Sequence, residues 1–599
     1  MSNTKSKHTF HIPVMGLSYT IDSPIKTAHL GISSVMSIFE HNLLEKMRKY
    51  YAEKFNFPFE PITTKMEDFR AKRITSYLDL VDKIVKEKFE NLKSSVNEKR
   101  EELEKYFELL PSFSDLKERF DEMIENNNNI KEIQKWLNEN LTLGGIDVNI
   151  MTKLDGPNYI GNEQQSVEHN NAHTAIRGYA NSTLESSIVL SAGMNPRLFG
   201  YMEKFDDFYP DADGNIKKKI ILKVSDYRSA LIQGKFFAKK GLWVSEFRVE
   251  SGLNCGGHAF ASDGYLLGPI LDEFKNNREI LLETTYKMFK DALDRKGKVA
   301  PTIIPEVKLT AQGGVGTADE HQFLLNYFEV DSVGWGTPFL LVPEATTVDE
   351  KTMKILSDAK EEDLYLSSAS PLGIPFNNVR GSLKDVERKE QAAAGNAGSA
   401  CPKRFLAFDT TYSEKALCTA SKKFINIKLD ELKEENLSET EYSSKYDKIT
   451  EKECLCNGLT NSALIVNNID TKMEGEAVSI CPGPNMAYFS GTFSLKEMVD
   501  HIYGKINILN TDNRPNMFIK ELKMYIDFLK NKIDEAPSPF TDKQIKYFDN
   551  FHTNLNNGIE YYKKMFAENR DYLKETYDKV ISDLDNLELE LKQFMPQTV

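Results

Sequence analysis

The stretch Gly252-Leu253-Asn254-Cys255-Gly256-Gly257-His258 gathers residue types suited to proton chemistry at a tight turn. An imidazole titrates near neutral pH, so His258 is placed to give or take a proton, or to hydrogen-bond a developing charge. Two further glycine turns follow, Gln312-Gly313-Gly314-Val315-Gly316 and Gly334-Trp335-Gly336-Thr337. Glycine lets backbone N–H groups approach a phosphate with no Cβ in the way, and a helix N-terminus beyond it adds partial positive charge. Two other groups bear on metal chemistry. His169 and His173 stand four residues apart, which on a helix puts both on one face beside Glu168, but no third ligand accompanies them and no metal site is assigned there. Cys401, Cys418, Cys454, Cys456 and Cys481 are five of the six cysteines. Four converging thiolates bind zinc or an iron–sulfur cluster, yet these spacings match no CxxC knuckle, so reduced buried thiols are the competing reading.

The elements that must position these residues are short apolar runs. His11–Gly16, His29–Ile38, Ile146–Met151, Ser186–Ser191, Lys219–Val224, Trp243–Val249, Val307–Ala311 and Asp331–Trp335 read as strands. Several are continuously apolar, as strands buried on both faces are, and most intervals are long enough for a crossover helix. Eight such units predict an α/β fold, a closed (β/α)8 TIM barrel whose ligand side is the C-terminal end of the strands. All three glycine turns and Lys223 lie at such ends; for Lys223 a cation aimed at a ligand and a solvated side chain are both compatible with the sequence. The oversized interval 40–143 is dense in Lys, Glu, Leu and Phe at helical spacing and reads as a helical insertion, a lid or a packing layer. The expected organisation is a barrel over 1–345, an irregular cysteine-containing extension over 346–504, and a helical C-terminal region over 505–599 broken at Ala536-Pro537-Ser538-Pro539.

With 599 residues the chain exceeds one compact core, and 40% hydrophobic with 11% aromatic residues fits a globular protein. A formal charge of -14 argues against nucleic acid or an anionic membrane as partner. No run approaches the roughly 18 apolar residues of a membrane span, and the first residues lack a signal-peptide pattern. The expectation is a soluble, cytoplasmic protein acting on a small molecule. Its helical additions are large enough to bury a homo-oligomer interface.

The order of these motifs resembles the nitronate monooxygenase and FMN-dependent enoyl reductase (2-nitropropane dioxygenase-like) superfamily. Its barrel carries a GxEAGGH stretch, an AAGGI phosphate loop and a GT-containing strand end; here Gly252–His258, Ala311–Val315 and Gly336-Thr337-Pro338-Phe339-Leu340 stand in those places. Pro13-Val14-Met15-Gly16 and Val148-Asn149-Ile150-Met151 look like the family's first- and third-strand segments beside the flavin. Cys481-Pro482-Gly483-Pro484-Asn485-Met486-Ala487-Tyr488-Phe489 is similar to a CGPAMGAF-like segment after the barrel in the enoyl reductase component of polyunsaturated fatty acid synthases. The likeness spans roughly residues 10–345. It implies FMN at the barrel mouth, with Met15, Gly16, Asn149, Lys223, Gly256, Gly257, Gln312, Gly313, Gly314, Gly336 and Thr337 around it and His258 near its reactive face. Asn254 and Cys255 replace the family's Glu-Ala, which puts the role of that carboxylate in doubt; Cys255 reads either as a small buried filler or as a thiol near the flavin.

The resemblance thus implies an FMN-dependent oxidoreductase, either nitronate monooxygenase-like and using oxygen, or enoyl reductase-like and using NADH or NADPH. The alternative is a barrel that binds a phosphate ligand without flavin, as a phosphosugar or nucleotide enzyme or as a non-enzymatic scaffold.

Overall fold

The computed structural model describes residues 8–94, 100–111, 114–126, 129–161, 163–191, 193–255, 263–537, 539–573 and 576–593. Its centre is a closed barrel of eight parallel strands. These are β1 (Phe10–Ile12), β2 (Ser33–Ser37), β3 (Ile146–Ile150), β4 (Ser186–Leu190), β5 (Lys218–Val224), β6 (Val244–Glu250), β7 (Lys308–Gln312) and β8 (Ser332–Gly334). Each pairs with its sequence neighbours, and β1 closes the ring on β8 through Phe10↔Val333 and His11↔Gly334. All eight expected strands are present, with shifted ends. β1 stops at Ile12 because Pro13 has no N–H for the ladder. The run from His29 begins instead as a short 3-10 turn over Ala28–Leu30, ended by Gly31 at φ 82°, and β2 starts at Ser33.

Side chains alternate along a strand, so one parity on each points into the barrel. Val14, Val35, Val189 and Ile221 form a separate apolar cluster. On β6 the same face carries Glu246, Arg248 and Glu250. Arg248 Nε donates to Glu246 Oε1 at 2.8 Å, and Thr310 Oγ1 donates to the same oxygen at 2.7 Å. A buried ionic network therefore underlies the mouth, and burial raises the Asp147 carboxyl beside it to about 6.

The interval 40–143 is helical: His41–Lys54, Phe69–Ser94, Arg100–Glu108, Leu116–Glu125 and Ile130–Asn140. It is a packing layer. Leu44, Tyr77, Leu78 and Val81 are buried in the main core, and Tyr77 and Tyr51 donate to Ile21 O (2.9 Å) and Asp22 Oδ2 (2.7 Å) in the segment after β1. The segment after the barrel carries an antiparallel hairpin, β9 (Leu364–Ser367) with β10 (Phe376–Val379), and several helices, among them Lys422–Glu434 and Leu455–Val466. The C-terminal helices are Met517–Asp534, Asp542–Glu568, Arg570–Leu573 and Tyr577–Gln593. The second is started by a Thr541/Gln544 capping box just past the expected break. No helix among the described residues is long and apolar enough to cross a membrane.

Candidate active site

A cavity of about 160 Å³ opens at the C-terminal mouth of the barrel. Its floor is the uppermost inward layer of the strands: Ser37, Asn149, Ser191, Lys223 and Glu250, joined by Lys153 and Asn254 from the loops. Its roof comes from the extension, with Leu372, Phe376, Phe405, Leu406, Cys456 and Leu459 prominent. The space is therefore polar on one side and apolar on the other, an apolar pocket with a few convergent polar groups as small-molecule sites commonly are.

Glu250 organises the floor. Its Oε1 takes the Lys223 ammonium at 2.9 Å, Asn254 Nδ2 at 2.8 Å and Gln312 Nε2 at 3.0 Å, while Gln312 Nε2 also donates to Asn254 Oδ1 at 2.9 Å. The pair is largely buried, with side-chain exposures of 12% for Lys223 and 18% for Glu250. Partial burial lowers the Lys153 ammonium from its usual range, and the Glu250 charge opposes that shift. Asn149 Oδ1 and Ser37 Oγ are buried without a protein hydrogen-bond partner. Such atoms are costly unless something else bonds them, which marks the floor as built for a polar ligand.

Of the residues expected around a cofactor, Gly16, Asn149 and Lys223 line this cavity. Met15 does not: it is buried in the main core, and its N–H donates to Thr20 Oγ1 while its neighbours Val14 and Gly16 face the space. Gln312 acts from beneath, through Glu250 and Asn254. The remaining glycine turns converge one step away. A Cβ on Gly313 would lie 2.9 Å from Asn254 N, one on Gly314 2.7 Å from Leu253, and one on Gly336 3.1 Å from Cys255. Gly483, from the extension, closes on Thr337 and Cys255 in the same way. Gly313, Gly314, Gly336 and Thr337 are thus packed around residues 253–255 and are not part of the cavity wall. The helix after Gly316 already holds an anion of its own, since Glu320 Oε2 accepts the Gly316 N–H at 2.9 Å and Glu320 Oε1 pairs with Arg514 at 2.7 Å. Gly256, Gly257 and His258 lie outside the described residues.

Cys255 is buried, lines the cavity, and donates through Sγ to Cys481 O at 3.2 Å. Burial, then the neighbouring Cys481, pushes its thiol well up, against a hydrogen bond from Thr337. It is a neutral thiol at the wall, not a thiolate.

The described residues before and after 256–262 bond to the C-terminal helices. Gly252 N donates to Tyr525 Oη at 3.1 Å; on the far side, Leu267 N donates to Glu521 Oε2 at 2.9 Å and Gly268 N to Tyr562 Oη at 3.2 Å. Gly264 and Gly268 leave no room for a Cβ against Phe551 and Tyr562.

The histidine pair does not form one helical face. His169 ends a 3-10 turn, Val167–His169, and the helix begins only at Asn171. His173 is buried with Nδ1 2.7 Å from Asp155 Oδ2, whereas His169 Nδ1 meets Ser166 Oγ at 3.0 Å.

Glu250, Lys153 and the roof escaped sequence reasoning. Glu250 was within reach: it directly follows the run read as ending at Val249, and a carboxylate at a barrel strand's C-terminal end is a site candidate.

No family model and no curated protein matches the chain. Solved structures similar to it include the enoyl reductase domain of MlnA from the macrolactin biosynthesis cluster of Bacillus amyloliquefaciens, at 12% identity and TM-score 0.37 over 89% of this chain and 97% of that one. FabK from Thermotoga maritima gives 11% and 0.33 over 87% and 95%. Nitroalkane oxidase from Streptomyces ansochromogenes gives 8% and 0.33 over 83% and 96%.

Proposed function

We propose that this chain is an FMN-dependent oxidoreductase of the nitronate monooxygenase/enoyl reductase type. The observation that carries the reading is the mouth cavity, where an apolar roof faces a polar floor holding an unpartnered Asn149 Oδ1 and two lysines. The ordered glycine motifs of the sequence support it independently.

Bound FMN supplies hydride or electron transfer at its ring. Asn149, Lys153 and Lys223 are the residues suited to hold the ring's polar edge, and the Leu372–Phe376 and Phe405–Leu406 segments exclude water above it. Glu250 fixes Lys223 in place through the shared hydrogen-bond network, so the ammonium meets the ligand already oriented. His258, three residues beyond the cavity-lining Cys255, gives or takes the substrate proton at an imidazole nitrogen. Gly313, Gly314, Gly336 and Thr337 would keep the loop bases that carry Asn254 and Cys255 close together at the mouth.

The absorbance spectrum of the purified full-length protein is the test. Flavin bands, with FMN released on denaturation, are expected; a colourless protein that takes up no added FMN would instead support a phosphate-ligand barrel without flavin. Anaerobic oxidation of NADH or NADPH with an enoyl thioester then points to the reductase, and oxygen uptake with a nitronate and no nicotinamide to the monooxygenase.

A further inference from the structure

Three pieces of chain that are far apart in sequence meet at one buried ammonium beside the mouth. Lys403 Nζ stands between two carboxylates, 3.4 Å from Glu40 Oε2 and 3.5 Å from Glu474 Oε1. The three side chains are 4%, 1% and 2% exposed, so water screens none of these charges. Each carboxylate also has a partner of its own. Glu40 is the N-cap of the helix His41–Lys54, accepting the Asn42 N–H at 3.1 Å and the Leu43 N–H at 2.9 Å. Glu474 takes the Lys46 ammonium of that same helix at 2.9 Å. The carboxylates are therefore fixed independently of Lys403.

Every arm of this cluster leads to the cavity wall. Phe39, next to Glu40, lines the mouth just past β2, and Phe405 and Leu406, which closely follow Lys403, form part of the roof. The Phe39 and Phe405 rings meet edge to face at 5.2 Å. Glu474 O accepts from Asn461 Nδ2 at 3.4 Å, on the helix Leu455–Val466 that brings Leu455, Cys456 and Leu459 to the cavity. Between Lys403 and Phe405 the chain turns through Arg404 in the left-handed region, at φ 58°. That conformation is costly for a residue with a Cβ and persists where contacts on both sides impose it, here the ion cluster and the Phe39–Phe405 pair.

Apolar contact is non-directional, so Phe405 and Leu406 alone would cover the mouth in several registers. A charge between two fixed carboxylates has one position, and moving it away strands buried charge. We propose that Lys403 is the positioning residue of the roof: its ammonium, held between Glu40 and Glu474, fixes Phe405 and Leu406 over the mouth and so governs access to the floor. The closure acts on any ligand of the mouth, flavin or not.

The cysteines around the cavity report on it. They are free thiols, and among the described residues no three Cys, His, Asp or Glu side chains are grouped to hold a metal ion. A buried thiol reacts only as often as its cover opens. The test is the rate at which iodoacetamide labels the cavity-lining Cys255, Cys456 and Cys481 in the folded full-length protein, with the sites read by mass spectrometry. Lys403→Met should fold, because Glu40 keeps its helix N–H groups and Glu474 keeps Lys46. It should speed labelling of the three by at least about tenfold, which corresponds to about 1.4 kcal/mol in open population. Glu474→Gln, which leaves Lys403 its contact with Glu40, should give a smaller acceleration of the same cysteines. Lys403→Arg keeps a cation between the carboxylates and should label more slowly than Lys403→Met. Tyr106→Phe removes a hydroxyl bond to Thr142 O (3.1 Å), just ahead of β3 at the opposite end of the barrel, and should leave the rates unchanged. Wild-type rates in both Lys403→Met and Glu474→Gln overturn the proposal. So does an equal acceleration in Tyr106→Phe, which would make the effect a general loosening, or a Lys403→Arg protein that labels as fast as Lys403→Met, which would remove the charge as its cause.

Discussion

The Gly252 N–H donates to Tyr525 Oη at 3.1 Å, tying the last turn of a barrel strand to a helix 273 residues later in the chain. Both residues are buried, so neither group has water to fall back on. Tyr525→Phe leaves the N–H with only the Glu521 carboxylate in reach and should cost about 1 kcal/mol. Gly252→Ala tests the same contact from the other side. Its Cβ would lie 2.5 Å from Met524 Cε and 2.5 Å from Tyr525 Cε1; the methionine end can swing away but the packed ring cannot. A loss of about 1–3 kcal/mol is expected from overpacking. Urea unfolding reads both, and a Tyr525→Phe protein with the wild-type midpoint would mean that this bond contributes nothing to stability.

The Glu250–Lys223 pair should act as a unit. Glu250→Gln leaves a largely buried ammonium with amides for neighbours, in a mouth where Lys153 is already disfavoured as a cation by burial. The expected result is about a tenfold weaker flavin affinity, or about 1.4 kcal/mol, measured by fluorescence titration of flavin-stripped protein. Combining Glu250→Gln with Lys223→Met should cost less than the sum of the single changes, because each single change strands the other partner. Strict additivity would show that the two residues bind independently.

Glu521 gives the C-terminal helices a pH dependence. Burial raises its carboxyl to about 7, opposed by hydrogen bonds from the Leu267 main chain, from Ser251 and from Tyr562. In the unfolded chain it titrates at about 4.3. Between these values the folded state holds a proton that the unfolded state has released, so stability falls as pH rises through this window and is flat above it. The loss should be of the order of 3 kcal/mol by pH 8. Glu453 is raised to about 7 by the same burial, with Asp385 adding to the shift, and contributes in the same direction. The informative quantity is therefore the difference between wild type and Glu521→Gln. Urea midpoints from pH 5 to pH 8 should converge at the acid end and separate at pH 8, with the variant higher; parallel curves would remove Glu521 as the titrating group.

The barrel was legible because its strands announce themselves. Ile220-Ile221-Leu222 and its counterparts are apolar on both faces, and no helix that packs by one face needs that. Once the strands are placed, alternation dictates that Asn149 and Lys223 face inward. The roof was not legible for the opposite reason. Leu372, Phe405 and Cys456 come from loop segments and a helix start whose apolar residues follow no period, and only the tertiary fold brings them over the mouth. The glycine turns fell between these cases. Their places at strand ends were readable, but their Cβ-free faces are used to pack turn against turn, a distinction that depends on Leu253, Asn254 and Cys255 approaching within 3.1 Å. The histidine pair shows the limit of spacing arguments, since an i, i+4 interval shares a face only when both residues are helical, and the helix begins between them.

His258→Ala separates proton chemistry from cofactor binding. The floor that would hold the ring is built from strand ends, joined in a network of Glu250, Lys223, Asn254 and Gln312. Flavin content should therefore stay near the wild-type value. Loss of a positioned general acid or base lowers turnover by about 10²–10⁴-fold. The pH profile supplies the readout that a structural role would not move. Wild-type turnover should carry a limb that titrates near neutrality, and that limb should vanish in the variant while the residual rate becomes flat with pH. A variant that loses flavin together with activity would place His258 among the binding residues, and one that keeps full turnover would remove it from the reaction.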